Sequence, residues 1–207
     1  MKRPPLSFRL FSIVIAALVL LGGCSSAPPP KEEVFDKRNL AAQHLEFGNK
    51  DFRDTQYDQA LQFFRIAREY YASVDDREGL VAAHGSIGKV YFRRGELEEA
   101  QVNYTLAAEY AKSTGSAPLI LRSANNLGEV HMKRGENKEA LLIFTQTLDN
   151  TELSPSQTRD HAVLYHNRGT VLKSLGRFDE AKTDAEKALG INLAGKHYEE
   201  LASNYYL

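Results

Sequence analysis

The sequence has one cysteine and no tryptophan among its 207 residues, and neither sign of charge is in clear excess. A single cysteine excludes an internal disulfide framework, a cysteine-rich zinc site and a CxxC redox pair. Lys and Arg number 26 against 27 Asp and Glu, so the chain lacks the positive field that binds nucleic acid. The apolar share of 43% is large enough for a packed core, which excludes wholesale disorder.

Motifs for catalysis, metal binding and cofactor binding are also missing. The sequence contains no HExxH, no Gly-rich loop of the Walker type and no GxSxG. His44 and His84 lie 40 residues apart, but no third ligand recurs with them, and we expect both to pack in the core. His161 and His166 are five residues apart and do not share a helical face well. We therefore expect no enzyme activity, no metal site and no cofactor.

The N-terminus has the features of an export signal. A basic stretch containing Lys2, Arg3 and Arg9 precedes a largely apolar run from Leu10 to Leu21. This run of twelve residues is too short for a membrane-spanning helix, which needs about 20. Its length and its basic flank are typical of a signal peptide, which we assign to residues 1–23.

The end of this signal, Leu21-Gly22-Gly23-Cys24, resembles the lipobox of bacterial lipoproteins. The resemblance implies cleavage before Cys24, followed by attachment of diacylglycerol to its sulfur and acylation of its amino group. Two or more acyl chains anchor a protein stably to a membrane. Ser25 follows the cysteine, where inner-membrane retention in enterobacteria usually requires Asp, so we expect an outer-membrane lipoprotein facing the periplasm. An ordinary cleaved signal with a chance cysteine is the alternative.

Residues 24–34 contain three consecutive prolines at 28–30 and are expected to form a short, semi-rigid, extended tether.

Beyond the tether, glycine recurs at positions 48, 88, 128 and 169, and an alanine follows each glycine by twelve residues. Glycine inside a helix costs roughly 1 kcal/mol relative to alanine. Four glycines in register therefore indicate that a second helix packs closely against each one, with Ala60, Ala100, Ala140 and Ala181 at the facing positions.

This pattern, with a large residue before each glycine and an aromatic residue after most of the alanines, resembles the tetratricopeptide repeat. The resemblance implies an all-α fold, a right-handed superhelical solenoid of antiparallel helix pairs. We place its four repeats at about 41–80, 81–120, 121–161 and 162–195, within a domain of residues 35–195. The period of 40 and the lack of a proline ending the second helix are similar to a long-helix class of the family, which often binds extended peptides in its groove.

Turn signals separate the expected helices. Within three repeats the turn carries a glycine, at Gly95, Gly135 and Gly176. Thr55 occupies this place in the first repeat. Ser116 with Pro118, and Ser154 with Pro155, are expected to open the first helices of the third and fourth repeats.

Two regions depart from the repeat pattern. In the fourth repeat Arg168 and Ala185 stand where large apolar residues are expected, so we predict that this repeat packs most loosely. The C-terminal segment 196–207 carries Tyr198, Tyr205 and Tyr206, and Tyr205 lies 40 residues after Tyr165. We expect a capping helix or a partial fifth repeat there. An exposed seam for self-association is the alternative.

The family resemblance also implies where a partner binds. The first helix of each repeat lines the concave face, with four positions pointing into it: three residues before the glycine and one, four and five after it. The fourth position after the glycine supplies an apolar row of Phe52, Phe92 and Met132, which Lys173 interrupts. The fifth supplies a basic row of Arg53, Arg93 and Lys133. The other two positions add Asn49, Lys89, Asn125, Glu129 and His166.

These residues predict a groove for an extended or helical segment with apolar and acidic side chains. The alternative is that the aromatic residues only pack and the cations are only solvated. We expect a membrane-anchored scaffold that binds an envelope protein or peptide, with no nucleic-acid partner and with homo-oligomers possible. Pilotins and adaptors of peptidoglycan hydrolases are lipoproteins of this build. The alternative function is a structural lipoprotein that self-associates through its tyrosine-rich C-terminus.

Overall fold

The computed structural model describes residues 30–151 and 158–195, and within these ranges the chain forms eight α-helices and no strand. In chain order they are α1 (Lys31–Arg53), α2 (Tyr57–Ser73), α3 (Arg77–Arg94), α4 (Leu97–Thr114), α5 (Ala117–Lys133), α6 (Asn137–Thr151), α7 (Arg159–Ser174) and α8 (Phe178–Ala194). Across these described ranges, no helix combines the length and the apolar character needed to cross a membrane. The predicted signal peptide 1–23, Cys24 and the segment 196–207 lie outside the described residues.

The helices form an α-solenoid of four hairpins, α1–α2, α3–α4, α5–α6 and α7–α8. The first helices of neighbouring hairpins also touch, so α1, α3, α5 and α7 stand side by side as one layer. The second helices form the other layer. This stacking confirms the all-α solenoid that the repeat pattern predicts.

The first helix begins earlier than the tether prediction allows. Helix α1 starts at Lys31, so residues 31–34, which we assigned to the tether, are helical. Pro30 precedes the helix with φ −53°, and Glu32 and Glu33 lie in its first turn. Carboxylates are favourable there because the N-terminal end of a helix carries partial positive charge.

The turn within each hairpin has one residue in the left-handed region. Gly95 has φ 80° and Thr55 has φ 60°, which confirms that Thr55 takes the place of a turn glycine. Ser116 caps α5 and Pro118 lies in its first turn, as predicted, although the Ser116 side chain forms no capping hydrogen bond. The expected start of the fourth repeat is corrected. Ser154 and Pro155 lie outside the described residues, and α7 begins at Arg159 with Thr158 as its N-cap.

The recurring glycines of the first three repeats face aromatic rings. A Cβ atom would lie 2.5 Å from a ring carbon of Phe64 if it were added to Gly48, and 2.6 Å from Tyr104 if added to Gly88. Gly128 meets Phe144 in the same way. The alanines are fully buried, but the residue that needs the glycine is the aromatic one helical turn later. The close approach of the two helices at these glycines is thus explained by the aromatic rings.

The fourth repeat replaces this apolar contact with an ion pair. Ala185 stands at the aromatic position, and Arg168 on α7 forms a bidentate pair with Asp184 on α8. The Asp184 side chain is only 3% exposed, and its hydrogen bonds raise the pKa of the Arg168 guanidinium. A cavity of about 490 Å³ lies beside the pair, between α6, α7 and α8. The looser packing of the fourth repeat stays a prediction, and the ion pair connects its two helices.

Candidate functional site: the concave groove

The layer of first helices encloses a groove of about 470 Å³, bounded by α1, α3 and α5 with Tyr104 of α4 beneath it. Five of the residues predicted to bind a partner line this groove: Asn49, Lys89, Phe92, Arg93 and Glu129. Such a volume lies within the roughly 300–1,000 Å³ that ligand pockets usually have. The structure therefore brings these five residues to one continuous surface across three repeats.

The predicted apolar row is half-buried between neighbouring repeats. Phe52 packs against the core cluster that contains Ile87 and Val90. Phe92 packs against the cluster around Tyr104, and Met132 packs against the cluster that joins the third and fourth repeats. Because each of these side chains contacts a core cluster, each helps to hold the repeats together.

Two of the lysines predicted to bind a partner contact the apolar row. The Lys89 ammonium lies 4.8 Å from the ring centroid of Phe52, and the Lys133 ammonium lies 4.6 Å from that of Phe92. Each contact joins the first helices of two adjacent repeats. Cation–π contacts at exposed sites contribute about 0.5–1 kcal/mol. These lysines therefore already interact with the protein, whereas the exposed Arg93 at the groove has no ion pair with the described residues.

A hydrogen-bonded group of polar side chains forms one side of the groove. The Asn125 amide donates to Glu129 at 2.9 Å, and Asn167 of α7 donates to Asn125 at 2.6 Å and to Glu129 at 3.4 Å. The Glu129 carboxylate is thus held by neighbouring amides. Burial, and secondly the charge of Glu129, raises the pKa of the Tyr104 hydroxyl beneath the groove. Asn167 was missed in the sequence, although it lies two residues before its repeat glycine, as Asn126 does.

The remaining predicted site residues lie outside the cavity lining. Arg53 and Lys173 are exposed on α1 and α7. His166 is half-buried, and its Nδ1 has no hydrogen-bond partner among the residues that the structure describes.

The earlier half of each first helix also lines the groove, although none of its residues in the first two repeats was named as a partner-binding residue from the sequence. These additional residues are Leu45, Val81, Ala82, Gly85, Ser86, Leu119, Arg122, Ser123 and Asn126. Their signal was present, because helical spacing places residues three, four and seven positions before a groove residue on the same face. Arg122 brings a third cation to the groove besides Lys89 and Arg93.

His44 and His84, which occupy equivalent positions in the first and second repeats, pack against aromatic rings. His84 is buried, stacks on Tyr110 at 5.8 Å, and places Nδ1 3.2 Å from the side-chain oxygen of Asn103. Burial lowers its pKa. His44 is half-buried and stacks on Phe63 and Tyr70, both at 5.8 Å. In the described part of the chain, no three metal-liganding side chains come together.

Comparison with known protein families agrees with this architecture. The family model described as "Tetratricopeptide repeat" matches residues 83–153 and 119–194, and together these two matches span more than half of the chain. No curated protein matches the sequence.

Several solved structures share the fold. The Rap conjugation gene regulator of the plasmid pLS20, in complex with the Phr* peptide, is 22% identical with a TM-score of 0.69, covering 87% of this chain and 48% of that one. The apo form of RapI is 19% identical with a TM-score of 0.67, covering 78% and 45%. BtubC (BKLC) from P. vanneervenii is 19% identical with a TM-score of 0.64, covering 76% and 65%. The chain thus spans less than two thirds of the length of each of these proteins.

Proposed function

The chain belongs to the tetratricopeptide repeat family, and from that premise we propose that it is a scaffold whose concave groove binds a polypeptide segment of a partner protein at a bacterial membrane. The observation that carries the proposal is the groove itself, which runs across α1, α3 and α5 and is open to solvent. Families of this fold generally serve protein–protein interaction and not catalysis, so we assign no reaction to the groove.

The charges of the groove favour an acidic partner segment. Lys89, Arg93 and Arg122 line it, whereas Glu129 is the one carboxylate among its lining residues in the described chain. Amide groups of Asn125 and Asn167 already donate to that carboxylate. A bound carboxylate would therefore meet more cations than anions, which favours both association rate and specificity.

A solved structure with a similar fold contains a bound peptide, which supports a polypeptide ligand for this chain. The Rap regulator of plasmid pLS20 was crystallised in complex with the Phr* peptide. We propose by analogy that this chain also accepts an extended segment, although the likeness itself concerns only the fold. The half-buried row of Phe52, Phe92 and Met132 would contribute apolar contact only at its exposed edges.

We further propose that Cys24 carries acyl chains and holds the groove at the periplasmic side of the outer membrane. The lipobox-like sequence before Cys24 supports this location. Recruitment of a secretin subunit or of a peptidoglycan hydrolase would suit such a scaffold. Replacing Cys24 with Ala should move the protein from the membrane fraction to the soluble fraction. A Cys24→Ala protein that still floats with membranes in a density gradient would contradict the anchor.

The alternative function, self-association through the tyrosine-rich segment 196–207, concerns residues outside the described part of the chain, and it stays a prediction. A photo-crosslinking amino acid distinguishes the two functions. At Ser86 in the groove it should form an adduct with a different protein in intact cells, and at the exposed Gln62 on α2 it should not. Equal adducts at both positions, or an adduct only with a second copy of the chain, would contradict the groove proposal.

A further inference from the structure

Gly85 differs from the glycines that pack against rings. A Cβ atom at Gly48, Gly79 or Gly88 would collide with an aromatic side chain, so packing explains those three glycines. At Gly85 an added Cβ would meet no atom within 4 Å. Gly85 lies inside helix α3, where glycine is less favourable than alanine. Neither packing nor backbone conformation therefore requires a glycine here.

The space that Gly85 leaves open belongs to the concave groove. Small side chains line the same groove, with Ala82 and Ser86 on the same helix and Ser123 on the neighbouring helix α5. Larger apolar residues, Leu45 and Leu119, line the groove on its two flanks. Together these residues form a notch in the groove wall, which we call the Gly85 notch.

A serine side chain also lines this notch. Ser123 is only 3% exposed and lines the groove, yet its hydroxyl has no hydrogen bond within the described chain. By contrast, Ser113 and Ser174 donate to carbonyl oxygens of their own helices at 2.7 Å. A hydroxyl both donates and accepts hydrogen bonds, so Ser123 can bond to a ligand or to solvent in the notch.

Cations lie in the same groove. Arg93 has no ion pair in the described ranges, and Arg122 reaches Asp160 only at 3.8 Å. Lys89 contacts the face of Phe52 and keeps its ammonium in the groove. These charges complement a carboxylate on whatever enters the notch, since only Glu129 opposes them among the described lining residues.

We propose that the Gly85 notch is the anchor pocket for one bulky apolar side chain of the bound polypeptide, and that an acidic residue lies within two positions of this anchor. The anchor packs over Gly85 between Leu45 and Leu119, the Ser123 hydroxyl bonds the backbone of the segment, and the carboxylate meets Arg93 or Arg122. This inference rests on the proposed function, because it names the chemistry of the segment that the groove would hold.

The test is a selection of binding peptides, followed by a binding comparison with a variant in which a larger side chain fills the notch. The full-length chain, kept in mild detergent, is used to select from a random twelve-residue peptide library displayed on phage. We expect enrichment of peptides with Phe, Leu or Trp near Asp or Glu. Gly85→Leu should weaken the binding of these peptides at least tenfold. Gly190→Leu is the matched control, because a Cβ at Gly190, inside α8 and outside the groove lining, also meets no atom within 4 Å.

Each outcome bears on the inference. Both variants should fold, with melting temperatures unchanged or raised by about 2–4 °C, since glycine is replaced by a better helix former. A Gly85→Leu protein that melts like the Gly190→Leu protein and still binds the selected peptides would overturn the notch. Failure to enrich acidic peptides with a bulky apolar residue would also overturn it. The groove proposal fails separately, if crosslinking at Ser86 captures no different protein.

Discussion

The guanidinium of Arg168 donates two hydrogen bonds to the carboxylate of Asp184, at 2.6 and 2.7 Å, between the two helices of the fourth repeat. In the second and third repeats the residues before the glycine are Ile87 and Leu127, and both are apolar. The fourth repeat thus joins its helices through charge at a place where its neighbours use hydrophobic contact.

Asp184→Asn should destabilise the protein strongly, because it leaves the Arg168 guanidinium largely buried without a countercharge. Breaking a buried pair from one side costs about 3–5 kcal/mol. The double variant Arg168→Leu with Asp184→Ile carries the residues found at these positions in the third repeat, and it should regain most of that loss. Urea unfolding monitored by circular dichroism measures the free energy of unfolding of the single and the double variant. A double variant as unstable as Asp184→Asn would show that the charges are needed for more than mutual pairing.

Thr55→Gly should stabilise the chain, because Thr55 holds a left-handed conformation at φ 60°. A branched side chain in that region costs roughly 1–2 kcal/mol, which glycine avoids. The reciprocal change, Gly95→Thr at φ 80°, should destabilise by a similar amount. Chemical unfolding of both variants tests the argument. No gain from Thr55→Gly would mean that the hydrogen bond from its hydroxyl to Asp54 compensates for the strain.

The stability of the protein should fall in acid in a manner that depends on His84. Burial lowers the pKa of His84 below its ordinary value of 6.5, so the unfolded chain binds a proton more readily than the folded chain. The contribution of neutral His84 is complete above pH 6.5 and is lost as the pH falls from there toward the folded pKa. Free energies of unfolding measured between pH 8 and 5 should show this loss. His84→Gln should show less of it, and an identical pH profile would contradict the assignment.

Charge reversal in the groove should weaken partner binding without affecting the fold. Arg93→Glu with Arg122→Glu removes two cations that line the groove. Hydrogen bonds to charged groups contribute about 1.5–3 kcal/mol, so the yield of the Ser86 crosslink should fall about tenfold or more. Lys112→Glu with Lys138→Glu, exposed residues on second helices, is the control. Equal loss in both pairs would show a general charge effect and not a groove effect.

The repeat architecture could be predicted because its signals are local. The spacing of Gly48, Gly88 and Gly128 placed the helix pairs in the correct order, and turn residues such as Gly95 marked where the chain reverses. Thr55 could be placed for the same reason. Helix α1 extends further than expected, because its start depends on Pro30 and not on the repeat pattern.

The groove could be predicted only in part. The positions after each glycine identified Lys89, Phe92 and Arg93, but most groove residues in the earlier halves of the same helices were not identified. Which side chains become available to a partner depends on contacts between repeats. Lys133 and Phe92 come from different repeats, and only the stacking of α3 on α5 brings them to 4.6 Å.

The amino-acid sequence by itself determined the helices, their pairing and their turns, because periodicity and backbone preferences act over a few residues. Only the tertiary structure decided that aromatic rings are the nearest neighbours of the glycines, that Arg168 pairs with Asp184, and that Gly85 opens into the groove. These outcomes depend on the angle and the axial offset between helices. Both are set by the packing of the side chains of two or three repeats at once.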